Sequence, residues 1–189
     1  MEHFGCPTRT PAEIRSFLGS GARNLIRQAL PGKADAPDLD AALAVYQDWY
    51  DTHNCIKTAP YDGILEALEE LGKAYPIGIV SNKPHWAVAP MCKEYFGEDI
   101  YALGEAPDCP RKPAPDMLYK GMAAIGVEKC VYVGDSEVDV FTAKNAGMPC
   151  LTVLWGFRDE DFLVENGAEH LCRDPKDMAK ALKELIENG

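Results

Sequence analysis

Val131-Tyr132-Val133-Gly134-Asp135-Ser136-Glu137-Val138-Asp139 decides how this chain is read, because it joins a strand signature to a set of acids. An apolar run delivers three carboxylates within five residues at its end. Two carboxylates about 4 Å apart repel by roughly 4 kcal/mol at an effective dielectric near 20, so the cluster predicts a neutralising metal or lysine. Hard oxygen ligands of this kind suit Mg²⁺. Ser136-Glu137-Val138-Asp139 also fits a helix capping box, with the Ser hydroxyl and the acid at N3 satisfying orphan backbone N–H groups. Capping leaves Asp135 without a task. That residue stands at the carboxyl end of a strand, where open α/β sheets bind ligands.

Outward from this stretch, apolar strands alternate with amphipathic helices from residue 61 onward. Residues 61–75 carry Ile64, Leu65, Leu68 and Leu71 at helical spacing, and 76–81 read as a short strand. Pro84 predicts the first position of the next helix, with Val88, Met91, Cys92 and Phe96 on its buried face. A weaker strand at 100–103, a proline-bearing loop over 104–115 and a helix with Met117, Leu118, Met122 and Ile125 precede the acidic strand. After it come a helix to about Gly147, a strand over 150–155, a short strand at 169–172, and a final helix capped by Asp174 and begun by Pro175. Strands joined by helices imply parallel pairing with both sheet faces covered, so a doubly wound parallel α/β sheet is expected over 59–189. Residues 1–58 contain no strand-like run. Helices over 12–18, 22–30 and 39–54, broken at Gly19-Ser20-Gly21 and Pro31-Gly32-Lys33, form a small helical cap domain.

Composition narrows the function. Hydrophobic residues make up 47% and charged residues 26% of the 189, which is ordinary for a globular protein. No apolar run approaches the about 18 residues of a membrane span, and the first residues carry no secretory signal. Nineteen basic against thirty acidic residues give a net charge of −11, which disfavours nucleic acid and anionic membrane as partners. The seven cysteines are scattered with no C-x-x-C pair, as reduced thiols of a cytoplasmic protein would be. Four histidines lie too far apart in sequence to suggest a zinc site. No feature of the sequence sets an oligomeric state.

Three strand ends present polar groups on one rim: Ser81-Asn82-Lys83, Lys112 in the loop after the next strand, and Asp135. A hydroxyl, an ammonium and a carboxylate-bound metal together make a phosphate pocket. Taken singly, Ser81-Asn82 reads equally as a helix N-cap, and Lys112 beside Arg111 as a solvated turn lysine held by Pro113 and Pro115.

The order of these groups resembles the haloacid dehalogenase-like hydrolase superfamily. Ser81 matches its second motif, Lys112 in Arg111-Lys112-Pro113-Ala114-Pro115-Asp116 its third, and Gly134 to Asp139 its fourth. Within the superfamily the wording is closest to the phosphoglycolate phosphatases, with support from residues 17–25, 60–63, 79–83 and 155–158. The resemblance implies a Rossmann-like core and Mg²⁺-dependent hydrolysis of a small phosphorylated metabolite through an aspartyl-phosphate. Ser81 and Lys112 would be catalytic, and Ser81, Asn82 and Lys112 would hold the phosphoryl group. Asp135 and Asp139 would hold Mg²⁺, Asp139 alternatively orienting Lys112. Arg23 in the cap would grip a substrate carboxylate with two bonds, or else lie on a solvated face.

The superfamily's first motif, an Asp-x-Asp-Gly-Thr ending a first strand, is absent from these 189 residues. It supplies the nucleophile, the general acid and most of the metal site. Asp38-Leu39-Asp40 follows no strand and reads as the start of a helix. The chain opens inside what resembles the cap, as a truncation, a fragment or a mis-assigned start would each produce. In the superfamily that first strand lies between the strands ending at Ser81 and Asp135. Each buried backbone group left unpaired costs about 1–3 kcal/mol, against the about 5–15 kcal/mol that holds a domain together. The expectation is therefore a chain that is unstable or rearranged and has no phosphatase activity. The competing expectation is a non-catalytic remnant binding phosphate, a metal or a partner, and a sugar phosphate or pyrophosphate is the alternative substrate.

Overall fold

The computed structural model describes residues 1–32 and 37–188; Lys33 of the expected Pro31-Gly32-Lys33 break lies outside them. The first three helices are α1 (Pro11–Phe17), α2 (Gly21–Ala29) and α3 (Leu39–His53). Thr10 and Glu13 close a capping box at the start of α1, and Pro11 follows the cap. Arg9 donates to the carbonyls of Ala29 and Leu30 at 2.7 and 3.2 Å, satisfying acceptors at the end of α2. Asp38 caps α3 by accepting the N–H groups of Asp40 and Ala41, as its position before a helix predicts.

From Ile64 the chain alternates: α4 (Ile64–Gly72), β1 (Gly78–Pro84), α5 (His85–Phe96), β2 (Tyr101–Glu105), α6 (Asp116–Ile125), β3 (Tyr132–Gly134), α7 (Glu137–Ala146), β4 (Cys150–Val153), α8 (Glu160–Glu165), β5 (His170–Cys172) and α9 (Met178–Asn188). Every strand pair is parallel. Gly78 faces Tyr101 in the β1–β2 ladder, Tyr132 faces Cys150 in β3–β4, and Leu151 faces His170 in β4–β5. Several boundaries differ from expectation by a few residues, and two of the differences have a clear cause. Pro84 ends β1 and caps α5 rather than opening it, because its ψ of 138° is still extended. A 3-10 turn at Pro175–Asp177 precedes α9, set by the Asp174 carboxylate accepting the Lys176 N–H at 2.9 Å.

The ladders form two sheets, β1-β2 and β3-β4-β5, and no ladder joins β1 to β3. Both sheets nevertheless share the same helix layers. On one face Ile77, Val131 and Val133 pack with Leu151 and Val153 against Ala67 and Leu71 of α4 and Leu182 of α9. On the other, Val80, Tyr132 and Cys150 pack against Leu118 and Met122 of α6 and Ala143 of α7. Adjacent strand residues thus face opposite layers, as the pleat requires. β4 has a neighbour on each side, and its Leu151, Thr152 and Val153 are buried. Ile79, Val80 and Ser81 of β1 are only half-buried between the same layers.

Candidate functional site

The carboxyl ends of β1 and β3 deliver the site, and one amide ties them to the rest of the molecule. Asn82 is 6% exposed, accepts the Lys112 N–H at 2.8 Å, and donates to the carbonyls of Lys112 and Gly19 at 2.9 and 3.0 Å. It therefore pins the loop over 106–115 and the α1–α2 turn to the end of β1. Both amide hydrogens are committed, so the Asn82 side chain, expected to hold phosphate, serves as a clamp. The adjacent Ser81 hydroxyl accepts the Lys83 N–H at 3.1 Å, which leaves the hydroxyl proton free to be donated.

Held by its backbone, Lys112 extends inward. Its Nζ donates to Asp139 Oδ1 at 2.7 Å and to Tyr132 Oη at 2.9 Å, and Tyr132 Oη donates to the same carboxylate oxygen at 3.2 Å. The Lys112 and Asp139 side chains are 10% and 7% exposed. Asp139 Oδ2 accepts the Asp135 and Ser136 N–H groups, each at 3.2 Å, and the Ser136 hydroxyl at 2.6 Å, so the reach-back of a capping box is present. Burial alone works against the Lys112 ammonium, yet Tyr132 and the Asp139 charge beside it outweigh that and raise its pKa. For Asp139 burial acts upward, but the Lys112 charge and the hydrogen bonds from Lys112, Ser136 and Tyr132 take its pKa below the usual carboxylate range.

The three carboxylates of the acidic stretch do not converge on one cation. Asp135 Oδ2 accepts the Phe157 N–H at 3.3 Å, while Glu137 takes a two-pronged grip from Arg158 at 2.8 and 2.7 Å. Asp139 belongs to Lys112. Each acid thus has its own donor. Among the described residues no group of three His, Cys, Asp or Glu side chains is placed to hold a metal. Asp135 remains as a carboxylate at the rim, its pKa raised first by burial and then by the neighbouring Asp139 charge. Side chains at Gly134 and Gly156 would overlap Asp139 and Asp135, so both acids stand in notches that glycine leaves open.

Arg158 also donates to the Leu18 carbonyl at 3.3 Å, and Arg15 of α1 donates to the Phe157 carbonyl, so the segment after β4 meets both the acids and the α1 region. Arg23 is not joined to this network. Its guanidinium pairs with Asp40 of α3 on an exposed face. Sequence reading missed Tyr132 and Arg158. A tyrosine inside a short, otherwise apolar strand was the available signal, because a buried phenol needs a polar partner. Arg158 gave none, since nothing local pairs it with Glu137.

Comparison with known proteins gives a consistent set. The family model for haloacid dehalogenase-like hydrolases matches residues 1–153. Phosphoglycolate phosphatase 1 of Pseudomonas aeruginosa is 32% identical, with 99% of this chain and 72% of that protein covered. The N-acetylmuramic acid 6-phosphate phosphatase of the same organism is 26% identical over 96% of this chain and 83% of its own length. Among solved structures, a candidate phosphoglycolate phosphatase from Lactobacillus delbrueckii subsp. bulgaricus superposes with a TM-score of 0.82 at 33% identity, covering 92% of this chain and 83% of that one.

Proposed function

The chain belongs to the haloacid dehalogenase-like hydrolases, and from that premise we propose a Mg²⁺-dependent phosphomonoester hydrolase for a small carboxylated metabolite of the 2-phosphoglycolate type. The observation that carries the reading is the single rim on which Asn82 binds Lys112, Lys112 binds Asp139, and Asp139 binds the backbone of Asp135. In this reading Ser81 donates its free hydroxyl proton to a phosphoryl oxygen, and Lys112 neutralises phosphoryl charge. Asp139 orients Lys112. Asp135 is the protein ligand for Mg²⁺, which is commonly held by one or two carboxylates together with substrate phosphate and would add further charge neutralisation. Arg23 reaches a substrate carboxylate only by releasing Asp40. We take residues 1–58 as the cap and 59–189 as the core.

Among the described aspartates, those of the Asp38-Leu39-Asp40 stretch and Asp139 do not fit the role of nucleophile. Asp38 caps α3 and Asp40 pairs with Arg23, while Asp139 is enclosed by its partners. We place the missing nucleophile on a further strand between β1 and β3; support comes from the shared helix layers and the absence of a ladder there. The 189 residues alone should then show no turnover of p-nitrophenyl phosphate or 2-phosphoglycolate with Mg²⁺. Measurable Mg²⁺-dependent hydrolysis, abolished by a chelator, would overturn that part. The open edges of β1 and β3 favour a second reading, a non-catalytic module that binds phosphate, metal or a partner. Appending an N-terminal strand that ends in Asp-x-Asp-Gly-Thr separates the two: recovered turnover supports the hydrolase, and phosphate binding without turnover supports the module.

A further inference from the structure

We propose that Tyr132 is a positioning residue for Lys112, holding the ammonium so that one N–H remains aimed at a phosphoryl oxygen; this rests on the phosphate rim described above. Tyr132 opens β3 and is 8% exposed, its ring packed among Leu118, Met122, Ala143 and Ala146. A phenylalanine would fill that apolar volume equally well, so packing accounts for the ring and not for the hydroxyl. The hydroxyl touches both members of the buried ion pair: it accepts from Lys112 Nζ at 2.9 Å and donates to Asp139 Oδ1 at 3.2 Å. The ring itself lies 5.6 Å from the same Nζ.

A lysine side chain turns about four carbon-carbon bonds, and a single contact with Asp139 fixes its reach more than its direction. The second contact triangulates the nitrogen between Oη and Oδ1. An ammonium has three N–H donors. Two are committed to Tyr132 and Asp139, which leaves the third for a ligand at the rim. Removing the hydroxyl frees a donor, lets Nζ rotate about its bond to Asp139, and leaves the charge unchanged. The loss is therefore one of orientation. It should appear in anion affinity and at the ammonium itself.

Three variants of the 189-residue chain test this by calorimetry with inorganic phosphate: Tyr132→Phe, Lys112→Met and the double variant. Tyr132→Phe is expected to weaken phosphate binding about five- to tenfold, Lys112→Met at least as much, and the double variant no further than Lys112→Met alone. In lysine-selective ¹⁵N spectra, the exchange-protected Nζ signal of Lys112 should shift or vanish in Tyr132→Phe. Met122→Leu disturbs the same core without touching the hydroxyl and should leave both readouts unchanged. Full phosphate affinity and an unmoved Nζ signal in Tyr132→Phe, beside a weakened Lys112→Met, overturn the positioning role while sparing the phosphate rim. A Lys112→Met chain that binds phosphate normally overturns the rim and this inference with it, as does an original chain that binds none. Should Tyr132→Phe fail to fold, the unaltered chain still decides: a slowly exchanging Tyr132 hydroxyl with a nuclear Overhauser contact to the Lys112 ammonium is expected, and its absence sinks the proposal.

Discussion

Two ion pairs of the molecule sit in contrasting electrostatic surroundings. Lys112 and Asp139 are buried, share Tyr132, and are surrounded by donors that satisfy the remaining carboxylate lone pairs. Arg23 and Asp40 meet on the open surface of the cap, with side chains 45% and 71% exposed. Water and salt screen the second pair, and its Coulomb energy competes with the entropy of two long side chains. The first pair has no such competitor, but each charge depends on the other because neither can return to solvent. The contrast separates a buried pair whose geometry is fixed from a surface pair between α2 and α3 that charge holds only weakly.

Removing one buried partner is the strongest way to break this contrast. Asp139→Ala strands the Lys112 ammonium and is expected to lower stability by about 3–5 kcal/mol in urea unfolding. A loss below about 1 kcal/mol would show that the pair is not isolated from water. Asn82→Ala comes next, at about 1–3 kcal/mol, because it leaves the Lys112 N–H and the Lys112 and Gly19 carbonyls without their partner. Hydrogen exchange should then quicken in α2 while β4 stays protected. Arg158→Lys keeps the charge but loses the two-pronged grip on Glu137 and the bond to Leu18, so a cost of about 1 kcal/mol is expected by thermal unfolding. At the small end, Arg23→Ala should leave the unfolding midpoint unchanged. Raising NaCl to about 1 M, where the screening length falls to about 3 Å, should speed exchange in α1 and α2 and leave α7 unaffected.

The elements were legible where periodicity and punctuation agreed. The three N-terminal helices, the strands at Gly78, Tyr132 and Cys150, and the Asp38 cap followed from apolar spacing and capping residues, which act within a few positions. The parallel pairing followed from helices lying between strands. Side-chain allegiances were harder to read. The acids at 135, 137 and 139 share five residues of chain, yet their partners come from the segment after β4 and from the loop before α6. Asn82 likewise looked like a ligand contact, because nothing local shows that Lys112 and Gly19 will arrive at its amide. Sequence proximity groups the three acids, while tertiary structure brings each of them its own donor.

The two glycine notches carry a consequence for anyone reading variants of this chain. Gly134 and Gly156 bear no functional group, yet a methyl at either would press on the neighbouring acid, Asp139 or Asp135. Gly156→Ala would thus phenocopy a lesion of Asp135, and Gly134→Ala a lesion of Asp139. A genetic screen would map both acids twice, once at the carboxylate and once at the empty space that seats it.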